Sequence, residues 1–385
     1  PRAPALPGHR MSSIGPYAGI KVLDFGQVMA APYAGMILAD LGADVVKIES
    51  PAGDATRNYT PPSVGGESPY YLFVNRNKRG IAIDLKNDDG RAAVLAMAKT
   101  ADVVIENFRA GAMDRLGIGY ETLKEQNLRL IYAAVSGYGR TGPFADKAGY
   151  DPIAQAESGL MSMCGEPDGP PTRIGISVID MITGTFATQA ISAALYARRD
   201  TGVGQYIEAN LFATAANMLG NFGAQSLMVN DNPRRAGSGS QAAQPAGVYP
   251  SADGEFMLTI GNEVMYQRFC KNVIERPDLA GDSRSLRVGD GCEIGASRLG
   301  KRVGQRFERR PFIGDDWEFG VEGLVVGCDG VGALIVSTSG ECDVHAFGVD
   351  GAWCCEVAAA VVGLPFGLER RDGIAGRETA SSTWA

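Results

Sequence analysis

Residues 19–50 read GIKVLDFGQVMAAPYAGMILADLGADVVKIES. An apolar run closes at Asp24, helical spacing follows through MAAPYAGMILADLGA, and Gly42 stands where that helix would stop. DVVKIES is a second short apolar run. Strand, helix, strand is the grammar of a parallel sheet. The pattern recurs downstream. GIAIDL (80–85) reads as a strand, DGRAAVLAMAKTA as a helix and DVVIENF (102–108) as a strand. A helix near 120–127 and a strand in RLIYAAVSGYG follow. The pattern predicts an α/β fold with a doubly wound, Rossmann-like parallel sheet, and places sites at the carboxyl ends of its strands. The turn after the first strand, DFGQVMAAP, is not G-x-G-x-x-G, and no G-x-x-x-x-G-K-[ST] occurs. A nicotinamide or a P-loop nucleotide is therefore not expected.

Composition narrows the chemistry. The 385 residues are 45% hydrophobic and 21% charged, with a net charge of −8. Such a polyanion without a basic patch is not expected to bind nucleic acid. No apolar run reaches the roughly 20 residues of a membrane span. The opening PRAPALPGHR has no apolar stretch of a signal peptide, and Met11 is a candidate start. The seven cysteines include no C-x-x-C pair, which argues against a structural zinc and against a disulfide framework and favours a reducing cytoplasm. Only two histidines exist, His9 and His345, both near the ends. No histidine triad or histidine metal site can be built in the central chain, and no metal is expected. A nucleophile or base would be a carboxylate or a lysine.

One carboxylate stands out. SVIDMITG (177–184) puts Asp180 between apolar residues at the start of a long helical pattern, MITGTFATQAISAALYAR. Ser177-x-x-Asp180 resembles a capping box, and an acid in a first helical turn gains about 0.3–1 kcal/mol from the helix dipole. Spacing alone leaves capping and chemistry both open. Further on, NDNPRRAGSGSQAAQP (230–245) reads as a loop, GVYPSADGEFMLTIG as a strand pair and VMYQRFCKNVI as a helix. Past Arg284 the helical periodicity fades and glycine becomes dense. Five of the seven cysteines fall there, at Cys292, Cys328, Cys342, Cys354 and Cys355.

The ordered series GDATR, YYLFVNRNKRGIAIDLK, ADVVIENFRAGAMDRLGIGYE, LIYAAVSGYGRTGP, GYDPIAQAESGLMSMCGEPDGPPTRIGISVIDMITG and RRDTGVGQYIEANL, following the opening stretch, resembles the family III CoA-transferases of the CaiB/BaiF type. That group also contains α-methylacyl-CoA racemase. The resemblance implies a large Rossmann-like domain with a smaller domain, an interlocked homodimer, and CoA with its acyl thioesters as substrate rather than as a resident cofactor. It puts Asp180 at the position of the catalytic aspartate. It implies that Val28, Met29 and Ala30 contact CoA at the first strand end, and that Ile83, Leu85 and Lys86 line the adenine. Asn107, Phe108 and Arg109 follow the third strand, with Arg115 beyond. Lys147, Ala148, Gly149 and Tyr150 form another wall. Gly237, Ser238, Gly239, Ser240 and Gln241 align with a glycine-rich loop that covers the site.

On this reading residues 1–18 are a disordered extension, 19–215 the large CoA-binding domain, and 216–284 the start of the smaller domain with its loop. Residues 285–385 lack the family's closing segments and read as a tail from a shifted frame. ESGLMSMCGEPDGPPTR resembles the succinyl-CoA:dicarboxylate branch. Two rivals remain. A 2-methylacyl-CoA racemase or epimerase would carry His-Asp where this chain has Tyr150 and Asp151. A broken tail would leave an inactive CoA-binding remnant.

Overall fold

The computed structural model describes residues 15–240, 245–250 and 254–281, and the backbone of two further strands, 323–328 and 331–336. The expected N-terminal extension up to residue 14, with Met11, and most of the atypical tail lie outside the described residues. The chain divides into two compact units, Pro1–Gly237 and Ser238–Ala385.

The first unit is built on six strands: β1 (Lys21–Asp24), β2 (Asp44–Glu49), β3 (Arg79–Ala82), β4 (Val103–Glu106), β5 (Ile131–Ser136) and β6 (Tyr206–Asn210). They form one sheet in the order β3-β2-β1-β4-β5-β6, with every pair parallel. The chain reverses its direction of winding between β1 and β4, and such a sheet opens a crevice at that switch point. The connecting helices, in chain order, are α1 (Ala30–Asp40), α2 (Pro69–Asn75), α3 (Asp88–Ala98), α4 (Ala112–Arg115), α5 (Tyr120–Gln126), α6 (Asp151–Glu157), α7 (Leu160–Met163), α8 (Val178–Thr201), α9 (Leu211–Met218) and α10 (Gly220–Val229). The first helix ends as its sequence implies. Gly42 takes a positive φ of 97°, its N–H reaches Ala39 O, and the Ala43 N–H reaches Leu38 O.

Apolar residues alternate between two layers. Val22, Val103, Ile105, Ile131, Ala133 and Val135 face α1 and α8, whereas Leu23, Val104, Tyr132 and Ala134 pack with Val94, Ile118 and Leu123 on the other side. α8 is 24 residues long and includes a stretch of mean hydropathy 1.3, enough by length and composition to cross a membrane. Its surroundings assign it a different part. Ile179, Ala187, Ile191 and Ala194 lie in the first core, and α1 crosses it at Gly184. A Cβ at Gly184 would stand 2.6 Å from Ala30 O, so only glycine lets the two helices approach this closely. At the far end of α8, Arg198 Nη2 meets Asp102 Oδ1 at 2.8 Å, and its Nη1 donates to Arg129 O at 2.9 Å.

Beneath the turn after β1 lies a set of buried charges. Lys78 Nζ is 2.8 Å from Asp24 Oδ2, with side chains 1% and 0% exposed. It also donates to Pro32 O at 2.7 Å and Asn75 Oδ1 at 2.9 Å. Lys47 Nζ pairs with Asp54 at 3.0 Å and donates to Gly26 O. Asp54 also accepts from the backbone and hydroxyl of Thr56, at 2.9 and 2.8 Å, which starts a short 3-10 turn. Arg57 closes the group with two 2.8 Å bonds to Glu49.

The second unit holds β7 (Ala246–Pro250) paired antiparallel with β8 (Glu255–Thr259), then α11 (Glu263–Arg268). Phe256, Leu258, Ile260, Tyr266, Phe269 and Cys270 make its core. β9 (Gly323–Cys328) and β10 (Val331–Val336) form a second antiparallel pair.

A buried pair that loses one partner leaves an uncompensated charge, at a typical cost of about 3–5 kcal/mol. Lys78→Met is expected to lower the unfolding free energy read from urea denaturation by an amount of that order. Combining it with Asp24→Asn should restore much of the loss. A single variant as stable as its parent would show that the pair does not hold the turn.

Candidate active site

The carboxyl ends of β1, β4 and β5 open onto a cavity of about 690 Å³. Gln27 to Ala30 form one wall, Asn107 to Arg109 with Arg115 a second, and Ala145 to Tyr150 a third. Asp180 looks in from the first turn of α8. The structure thus brings Val28, Met29, Ala30, Asn107, Phe108, Arg109, Arg115, Lys147, Ala148, Gly149, Tyr150 and Asp180 together.

Other expected residues lie elsewhere. β3 is the sheet edge, separated from β1 by β2, so Ile83 and Leu85 pack into the second core layer and Lys86 is exposed to solvent off the cavity. Gly237 is tied to Gly165 through a 3.0 Å backbone bond and does not line the cavity. Ser238, Gly239 and Ser240 open the second unit, where Ser238 Oγ accepts from the Val248 N–H at 3.1 Å. Gln241 lies outside the described residues.

The first wall has an unusual backbone. Val28 has φ 65°, a region that a β-branched residue enters only under constraint. The constraint is visible. Asn107 clamps the preceding peptide from both sides, accepting from Gln27 N–H and donating to Gln27 O, each at 2.8 Å. Asp54 Oδ2 accepts from the Val28 N–H at 3.4 Å. The third wall touches the β5 end backbone to backbone: a Cβ on Gly137 would lie 2.4 Å from the Gly149 Cα. Lys147 is held at the rim by Glu157 at 2.5 Å and lies 4.7 Å above the Tyr138 ring.

The capping question is settled by a residue 29 positions away. Ser177 makes no side-chain cap, so the expected capping box does not form. Asp151, the first residue of α6, takes the helix end instead. Its Oδ2 accepts from the Ile179 N–H at 2.7 Å and the Asp180 N–H at 3.2 Å, and its Oδ1 accepts from Gln155 at 2.6 Å. Gln155 is oriented in turn by the Ile174 N–H at 2.9 Å. The Asp180 carboxylate makes no hydrogen bond among those of the described residues and faces the cavity half-buried. Burial pushes its pKa up to about 7, and the Asp151 charge behind it adds to the shift. A carboxylate poised near neutrality and free of partners is what a nucleophile or a general base requires. Sequence reasoning did not find the capping role of Asp151, nor Arg140, Ser136 and Gly137 in the wall. A bond between residues 29 apart leaves no local spacing signal.

The cavity thus joins a carboxylate at a helix end to the cationic side chains Arg109, Arg115 and Lys147 on its walls. Residues 17–312 match CoA-transferase family III. The chain is 42% identical over 276 residues to succinate–glutarate CoA-transferase of Agrobacterium fabrum, covering 70% of this chain and 69% of that protein. It is 43% identical over 278 residues to acetyl-CoA:oxalate CoA-transferase of Acetobacter aceti, covering 72% and 71%. Human succinyl-CoA:glutarate CoA-transferase is 37% identical over 322 residues, 82% of this chain and 72% of that one. A crystal structure of a CaiB/BaiF family protein from Brucella suis superposes with a TM-score of 0.66 at 36% identity, over 77% of this chain and 79% of that one. The chain belongs to CoA-transferase family III and is a CoA-transferase.

The raised pKa carries a consequence for stability. Asp180 binds its proton more tightly in the fold than in the unfolded chain, where the ordinary value is 3.8. The fold is therefore favoured at low pH, and that contribution is lost as pH rises from about 4 through about 7. Asp180→Asn removes the titration. Its thermal stability relative to the parent is expected to grow between pH 5 and pH 8, by up to about 3 kcal/mol, and to level off above. Equal gains at both pH values would return the carboxylate to the ordinary range.

Proposed function

We propose that this enzyme moves CoA from an acyl-CoA thioester to a dicarboxylic acid through covalent intermediates on Asp180. The observation that carries the proposal is the position of Asp180: a carboxylate with no hydrogen-bond partner among the described residues, its pKa pushed up to about 7 by burial, in the wall of the cavity that gathers most of the expected CoA contacts. The acid class rests on the glutarate and oxalate enzymes that the chain resembles.

The chemistry follows from the carboxylate. An Asp180 oxygen attacks the donor thioester carbonyl, a C–O bond forms, the C–S bond breaks, and CoA thiolate leaves. The thiolate attacks the aspartyl carbonyl of the mixed anhydride, releasing the donor acid and leaving an aspartyl-CoA thioester. The acceptor carboxylate attacks that thioester and expels the thiolate again. Thiolate attack on the acceptor carbonyl then forms the new acyl-CoA and restores Asp180. Every intermediate stays activated, so the thioester free energy is kept. No step needs a histidine base or a metal. Arg109, Arg115 and Lys147 supply cations for the phosphates, and Val28 to Ala30 offer backbone along the first wall. The racemase reading needs an acid–base pair at positions 150 and 151, but both Asp151 oxygens already serve Gln155 and the end of α8.

The working unit in this reading is a homodimer. α10 buries none of its residues, and Leu227, Met228 and Val229 are 89%, 82% and 68% exposed. So apolar a helix favours a protein partner over water.

Asp180→Ala is expected to keep CoA binding and to lose at least about a hundredfold in kcat, some 2.7 kcal/mol of barrier. Hydroxylamine added to enzyme and acyl-CoA should convert Asp180 to its hydroxamate, found by peptide mass. A variant that keeps more than about one hundredth of the parent rate would end the assignment.

A further inference from the structure

Val28 stands in the cavity wall in a conformation that its side chain disfavours. Among the described residues four non-glycine residues have a positive φ: Val28, Asn77, Asn230 and Glu275. Asparagine tolerates that region through its short polar side chain. Valine does not, because its branched Cβ crowds the backbone there. A left-handed valine persists only where its surroundings over-determine it.

The chain is held on both sides of Val28. Before it, Asn107 at the end of β4 spends its carboxamide on one residue. Its Oδ1 accepts from the Gln27 N–H and its Nδ2 donates to Gln27 O, each at 2.8 Å. Gln27 O belongs to the peptide whose N–H is that of Val28, and Asp54 Oδ2 accepts from that N–H at 3.4 Å. The longer bond is the weaker one, and the same Oδ2 also meets Lys47 at 3.0 Å. Asn107 is therefore the principal hold on this peptide. After Val28 the chain is held again. A Cβ at Gly184 would stand 2.6 Å from Ala30 O, so the start of α1 lies hard against α8. The left-handed turn at Val28 joins these two holds, and Met29 and Ala30 beyond it line the cavity.

We propose that Asn107 acts on CoA binding as a positioning residue. By clamping Gln27 it keeps Val28 left-handed, and so fixes the course of Val28, Met29 and Ala30 along the cavity. The carboxamide supports the wall that CoA touches and is spent on backbone rather than on the ligand. The part expected for Asn107, a contact to CoA, passes to the three residues that it holds. This inference rests on the CoA reading of the cavity.

Glycine enters positive φ without a Cβ penalty, so Val28→Gly removes the need for the clamp. The parent, Asn107→Ala, Val28→Gly and the double variant close a cycle. Calorimetry gives the Kd and the stoichiometry for CoA, and urea unfolding gives the stability of each protein. Asn107→Ala is expected to weaken CoA about tenfold at full stoichiometry. In the Val28→Gly background the same substitution should cost no more than about twofold, the ordinary scatter of independent sites. The unfolding free energies should show coupling of the same sign, with no ligand present. A tenfold loss in both backgrounds would mean that Asn107 touches CoA itself, and would overturn the proposal. A lowered stoichiometry at unchanged Kd would make the residue merely structural and overturn it too, as would an Asn107→Ala protein that binds CoA like its parent. A parent that binds no CoA would fail the CoA reading, and the proposal with it, whatever coupling the unfolding cycle shows.

Discussion

Two lysines with buried ammonium groups, Lys47 and Lys78, sit beneath the turn that follows β1, each against its own aspartate. Burial pulls the Lys78 ammonium below the usual lysine range, against the pull of Asp24. Such pairs are weak sources of stability but strong sources of uniqueness: once the charges are out of water, every alternative packing leaves one of them alone. Asp24 also accepts from the Gly26 N–H, and Asp54 from the Val28 N–H. The charges therefore hold the backbone of the first cavity wall, including the left-handed Val28, at the point where the sheet changes its direction of winding.

Two acids share the start of α8, and their surroundings divide the labour. Asp151 is buried and spends its oxygens on two backbone amides and Gln155. Asp180 receives no such bonds, and burial raises its proton affinity. One carboxylate builds the helix end and the other is left facing the cavity without such bonds among the described residues. The contrast comes from hydrogen-bond supply, since both residues stand at the same end of the same helix dipole.

The frame of this division was legible in the sequence. Apolar runs ending at Asp24, Glu49 and Glu106 mark strands because a parallel sheet covered on both faces needs continuous hydrophobic stretches. Gly42 marks a helix end by its need for a positive φ. What failed to show was anything that depends on tertiary register. Ser177 and Asp180 have capping-box spacing, yet the cap comes from Asp151. Ile83, Leu85 and Lys86 belong to the matched series, yet beside the edge strand β3 none of them is among the residues that line this cavity. GDATR belongs to the same series. In the fold its Asp54 and Arg57 serve as internal supports for Lys47 and Glu49. Arg140 sits in an ordinary glycine-rich turn, and only the approach of Glu106 from β4 gives it an environment.

α8 holds Asp180 at one end and Arg198 at the other, and both ends are fastened, one through Asp151 at the start of α6 and one through Asp102 just before β4. The helix is thus a rigid beam, with about 27 Å between the two residues at 1.5 Å of rise each. Beams convert angles into distances. A tilt of about one degree about the Arg198 anchor would carry the carboxylate roughly 0.5 Å, comparable to the whole positional tolerance of a catalytic group. The narrow crossing at Gly184, about one turn from Asp180, acts as a bearing against that motion. The geometry of the Asp180 carboxylate is therefore fixed as much by a guanidinium at the amino ends of β4 and β5 as by its own neighbours.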